Sequence, residues 1–200
     1  MSGGWVILLA LVALGAAAWG VHARWERVRF GAWELAVSGL LVALGTLTAH
    51  LIWIPTGVAK AFPVQHAINV LAGVLLGPVH AATIAFAVGV LRNLLGVGTL
   101  LAFPGGMIGA FLAGTLFRLT GKVGWAVAGE LVGTGILGAV AAYPIARWVM
   151  GHAAAPFFYV GPFLLSSAAG SAAATGLIAA LRRARVVVPR VSTSSRNRGH

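Results

Sequence analysis

The sequence predicts an all-α polytopic membrane protein, and three observations carry that prediction. The chain is 60% hydrophobic and only 8% charged, with a mean hydropathy of +0.96, whereas an ordinary soluble domain carries about 25% charged residues. Its apolar residues fall into runs of helix length separated by Pro, Gly and basic residues. The 14 Lys and Arg are distributed unevenly between alternate connections, as topology-setting charges are.

The apolar runs lie near residues 4–21, 33–54, 65–77, 79–95, 104–119, 123–148 and 157–181, which makes seven candidate helices. The first begins Met-Ser-Gly-Gly-Trp without a basic leader, so it reads as an uncleaved extra helix, not as a secretory signal. In the second, Ala32, Ala36, Gly39 and Ala43 recur at helical spacing and form one narrow stripe on which another helix can pack. The third, at 65–77, is too short to cross a hydrocarbon core of about 30 Å unaided and is expected to be a half-buried helix ended sharply by Gly77-Pro78. Gly106, Ala110 and Gly114 mark a small-residue stripe in the fifth run, and Ser166, Gly170 and Ala174 another in the last. If residues 22–32 are cytoplasmic, alternation puts eleven basic residues inside and leaves Lys60, Arg92 and Arg147 outside. The C-terminus is then cytoplasmic.

The balance of +11 rests on three Glu (Glu26, Glu34, Glu130) and no Asp. A folded nucleic-acid patch is not expected, because the basic residues sit between and after the apolar runs. Without Cys there is no disulfide framework and no thiolate chemistry. No P-loop motif occurs, so ATP dependence would have to come from partners; nucleophile-elbow and zinc-protease motifs are also missing, and no catalytic residue, cofactor or metal is expected.

Against this apolar background the polar residues of 63–106 stand out, since a buried polar group in a bilayer needs a partner, a cavity or a ligand. His66 and Asn69 share a helix face, and Gln65 begins the same turn; together they could hydrogen-bond a heteroaromatic or hydroxylated ligand, or satisfy neighbouring backbone. Arg92 and Asn93 lie near the outer end of their helix, where an Arg can also snorkel to the interface. Gly96, Gly98 and Thr99, then Phe103-Pro-Gly-Gly106, describe a loop entering the next helix, whose free N–H groups suit a polar ligand atom. Glu130, well inside an apolar run, is open to pairing with Arg92, to accepting a substrate hydroxyl or to taking up a proton. Tyr143, Trp148, Phe157, Phe158 and Tyr159 gather at the outer helix ends, where aromatic residues belong to the interfacial belt and one or two could stack a flat ligand. The segment from Pro55 to Pro63 reads as either a lid or a simple linker.

The segments Phe62-Pro-Val-Gln-His-Ala-Ile-Asn-Val70, Leu75-Leu-Gly-Pro78, Leu91-Arg-Asn-Leu-Leu-Gly-Val-Gly-Thr-Leu-Leu-Ala-Phe-Pro-Gly-Gly106, Gly129-Glu-Leu-Val-Gly-Thr-Gly135 and Ala142-Tyr-Pro144 resemble the ThiW family over about residues 33–181. That resemblance implies a six-helix S component of an energy-coupling factor (ECF) transporter. Such a subunit binds a thiamine precursor, hydroxyethylthiazole or a relative, near the outer surface. It would dock through the stripe Ala32, Ala36, Gly39, Ala43 on a transmembrane coupling subunit driven by two ABC-type ATPases. The expected substrate-binding residues are then His66, Asn69, Gln65, Arg92, Asn93, Thr99, Glu130 and Tyr143. The expected organisation is an extra N-terminal transmembrane helix with a basic cytoplasmic connection (1–30), the six-helix core in the cell membrane (31–184) and a basic disordered cytoplasmic tail (185–200). A proton-coupled secondary transporter using Glu130 is the alternative.

Overall fold

The computed structural model describes residues 31–55, 60–153 and 155–185. The expected N-terminal helix and nearly all of the basic tail lie outside them. The described chain is a multi-pass, all-α membrane protein whose helices are α1 (Ala32–Leu51), α2 (Pro63–Leu75), α3 (Pro78–Leu94), α4 (Ala102–Thr120), α5 (Val123–Val149) and α6 (Val160–Arg183). α1, α4, α5 and α6 are long and apolar enough to cross a membrane, while α2 and α3 are shorter apolar helices. Between α1 and α2 a two-residue ribbon pairs β1 (Ile54–Pro55) antiparallel with β2 (Lys60–Ala61); the rest of the expected lid, 56–59, lies outside the described residues.

α2 is the central element. Eight of its thirteen residues are buried, and it packs against each of the other five helices. A helix surrounded in this way needs no lipid-facing length, and thirteen residues span only about 20 Å. Gly77, at φ 91°, makes the turn that no L side chain adopts easily, and Pro78 opens α3 where its missing N–H costs nothing. Gly121, at φ 68°, closes α4 in the same left-handed conformation, its N–H donating to Phe117 O over 2.7 Å.

α4 and α5 meet backbone to backbone. A Cβ at Gly133 would stand 2.6 Å from Gly109 Cα, and one at Gly129 2.6 Å from Leu112 O, so only glycine permits this approach. Gly138 faces Gly105 along the same seam. The spacing 129, 133, 138 keeps to one side because residues Leu131–Gly138 form wide π-helical turns that absorb an extra residue. A second wide turn, Ile145–Val149, follows Pro144, which lacks the N–H an α-helical turn would use.

The three small-residue stripes divide. Gly106, Ala110 and Gly114 are buried, as are Ser166, Gly170 and Ala174, and both sets pack within the bundle. Ala32, Ala36, Gly39 and Ala43 are exposed, and no described residue lies within 4 Å of a Cβ placed on Gly39. α1 buries only Leu41, Gly45, Thr46 and Ala49 against α2 and α3, leaving Leu35, Leu40, Leu44 and Leu47 facing outward. At one end of the bundle Arg118 Nη2 donates to Leu76 O over 3.3 Å, tying the α2–α3 and α4–α5 turns together. The segments 95–101, 150–153 and 155–159 and the ribbon gather at the opposite end.

Candidate ligand-binding site

At that second end the bundle encloses a cavity of about 340 Å³. Its walls are the ribbon and first turn of α2 (Phe62, Gln65, His66), Arg92 of α3, the loop through Thr99, and the first turns of α4 from Leu101 to Gly106. Thr134 of α5, His152, and Tyr159, Phe163 and Ser166 of the α6 segment complete them.

Successive residues of α2 point about 100° apart around a helix of 3.6 residues per turn, and this divides the polar groups into two clusters. Gln65 turns toward α3, where its Oε1 accepts a hydrogen bond from Arg92 Nη1. The Arg92 guanidinium carbon also lies 3.7 Å from the centroid of the Phe62 ring, in cation–π contact. His66 turns toward α5, where its Nδ1 lies 2.8 Å from Glu130 Oε1. The same oxygen accepts from Asn69 Nδ2 at 3.1 Å and lies 2.8 Å from Thr134 Oγ1. Asn69 Nδ2 reaches Gly106 O at 3.2 Å, and Thr134 Oγ1 reaches Gly105 O at 2.9 Å. Since a threonine hydroxyl has one proton, it donates to Gly105 O or to Glu130 at any moment. The carboxylate oxygen thus joins α2 to α5, and Asn69 and Thr134 carry the network on to backbone carbonyls of α4. Bonding to a carboxylate fixes the proton of a neutral His66 on Nδ1 and leaves Nε2 as the ring atom able to accept a ligand hydrogen bond.

Glu130 and Asn69 are fully buried behind this wall and do not line the cavity. Among the described residues Glu130 Oε2, Asn69 Oδ1 and Arg92 Nε find no hydrogen-bond partner. Glu130 Oε2 is accommodated only because position 109 is glycine, where a Cβ would meet it at 2.6 Å.

Two expectations need correction. Arg92 does not pair with Glu130, because α2 interposes Gln65 and His66 and gives each charge its own partner. Nor does Arg92 snorkel: it is 2% exposed and lines the cavity. Gln65, His66, Arg92 and Thr99 are brought together at the cavity. Asn93 does not line it; its Nδ2 donates to Gly89 O at 2.8 Å and Thr99 O at 3.3 Å, pinning the loop after α3. Tyr143 does not line it either. Tyr159, expected at the lipid interface, is 3% exposed and forms cavity wall beside Phe163, with ring centroids 6.1 Å apart.

Thr134 and Phe62 were missed as site residues. Thr134 is legible afterwards, because it lies four residues beyond Glu130 on the same face. Phe62 carries no such signal; its place depends on its N–H donating to Ser166 Oγ of α6 over 2.9 Å. Among the described residues no group of three His or Glu is placed to hold a metal.

A compact, mainly apolar chamber with a few convergent polar groups, open toward one end of an apolar helix bundle, has the form that small-molecule sites of membrane proteins take. Residues 35–184 match the family model described as thiamine-precursor transporter protein (ThiW), and the chain belongs to that family. No curated protein and no solved structure matches the chain.

Proposed function

We propose that the chain is the substrate-binding S component of an ECF transporter and that it binds a thiamine precursor, hydroxyethylthiazole or a close relative, for ATP-driven uptake by partner subunits. The observation that carries this reading is the cavity. Its volume, about 340 Å³, stands near the lower end of the roughly 300–1,000 Å³ usual for small-ligand sites, which suits a single substituted heteroaromatic ring. Phe163 and Tyr159 offer an aromatic apolar wall, while His66, Gln65, Arg92, Thr99 and Thr134 offer hydrogen bonds. Asn69 and Glu130 act from behind by holding His66. Asn93 and Tyr143 have no part in this reading.

The coupling subunit docks on the open stripe Ala32, Ala36, Gly39, Ala43, and two ABC-type ATPases supply the energy. The cavity end faces outward and the C-terminus inward, a reading supported by the clustering of basic residues at the other end. The test is calorimetric titration of the purified chain with hydroxyethylthiazole, hydroxymethylpyrimidine and thiamine. Selective thiazole binding is the expected result, and no binding of any of the three to folded protein would refute the substrate. A second reading, proton-coupled transport through Glu130, is favoured by the unpartnered Oε2 of that fully buried residue.

A further inference from the structure

Among the described residues Arg92 is a buried cation without a counter-charge. It is 2% exposed, its Nε is unpartnered, and the groups it touches, Gln65 and the Phe62 ring, are both neutral. Glu130 Oε1 lies against His66 Nδ1 and not against Arg92, and among the described residues no carboxylate lines the cavity. Glu130 spends one oxygen on His66, Asn69 and Thr134, and turns the other toward Gly109. Glu34, the other described acid, sits in the first turn of α1, whose opposite end leads into the ribbon beside the cavity. The first turns of the 19-residue helix α4 also line the chamber and aim the positive end of its dipole there. His152 adds a third donor-capable group. A guanidinium withdrawn from water is costly unless a charge meets it. Neither cation–π contact nor an amide oxygen supplies that charge.

We propose that the ligand supplies it: the cavity takes a precursor bearing a carboxylate or a phosphate monoester, whose negative group bonds Arg92 Nε at the N-terminus of α4. This rests on the reading of the cavity as the substrate site and narrows the substrate class within it. The ring lies against Phe163 and Tyr159, and the anion sits at the Arg92 wall.

The experiment is calorimetric titration of the full chain in neutral detergent with three compounds. They are hydroxyethylthiazole, the acid in which a carboxylate replaces its hydroxymethyl group, and its phosphate ester. Charge-assisted bonds to Arg92 predict that at least one anion binds about tenfold or more tighter than the alcohol. Arg92→Gln is expected to abolish that preference, while Tyr143→Phe, outside the cavity lining, is expected to retain it. Because Arg92→Gln could fold poorly, ligand-induced shifts in thermal unfolding of the unaltered chain give the same ranking without a variant. Equal or weaker binding of both anions, with the alcohol still bound, overturns the anion inference and leaves the thiazole reading standing; no binding of any compound removes both. Short-chain phosphatidylglycerol as competitor separates the remaining source of the same chemistry. If it displaces the tight-binding anion, Arg92 holds a lipid headgroup phosphate and the inference about the substrate fails.

Discussion

Glu130 shows what one buried side chain can be asked to do. Its Oε1 accepts from α2 and from its own helix, so removing it leaves His66 Nδ1 and Asn69 Nδ2 without their shared acceptor. Glu130→Ala is expected to destabilise the protein by about 1–3 kcal/mol, as leaving buried donors without their acceptor does, measured by thermal unfolding in detergent. Glu130→Gln keeps the shape and an acceptor, so stability should fall less. Binding should still weaken about tenfold, because His66 loses the charge that orders its ring. Gly109→Ala tests the orphan oxygen from the opposite side: its methyl would run into Thr134 Oγ1 and Glu130 Oε2. An overpacking cost of about 1–3 kcal/mol is expected, and unchanged thermal stability would show that α4 and α5 can part without loss.

At the scale of elements, the stripe on α1 and the seam between α4 and α5 make opposite predictions from the same residue type. Gly39→Leu meets no described residue within 4 Å, so the purified chain should melt as the unaltered chain does, yet fail to co-purify with the proposed coupling subunit. Gly133→Leu should lower the melting temperature, because its side chain would enter the α4 backbone. The helices themselves were largely legible in the sequence: apolar runs bounded by Gly77-Pro78 and Gly121 mark their ends, and the observed limits differ from the expected ones by a few residues. The wide turns of α5 were not legible, since an added residue per turn leaves the apolar run unbroken. The polar residues of the site stood out for the same reason the helices did, as exceptions in an apolar chain. Their pairing did not, because opposite charges invite the inference of an ion pair, and only the placement of α2 between α3 and α5 shows that Arg92 and Glu130 belong to separate clusters.

For the whole molecule, the proposed mechanism and its rival part on energetics. Uptake by cells carrying the complete transporter should stop when the ATPase subunits are inactivated and persist when a protonophore collapses the proton gradient; the reverse pattern would favour Glu130 as a proton carrier. The network around Glu130 has a further consequence for how such a protein can diversify. Its members are at once the backing of the chamber and the fasteners of three helices, so a substitution there that altered ligand preference would also loosen the bundle. The side formed by Tyr159, Phe163 and His152 carries no such double duty in its side-chain hydrogen bonds. Adaptation to a new substrate is therefore expected to proceed on the α6 side of the chamber, over a mechanically constrained floor, and libraries randomised at those two sets of positions would differ in the fraction of members that remain folded.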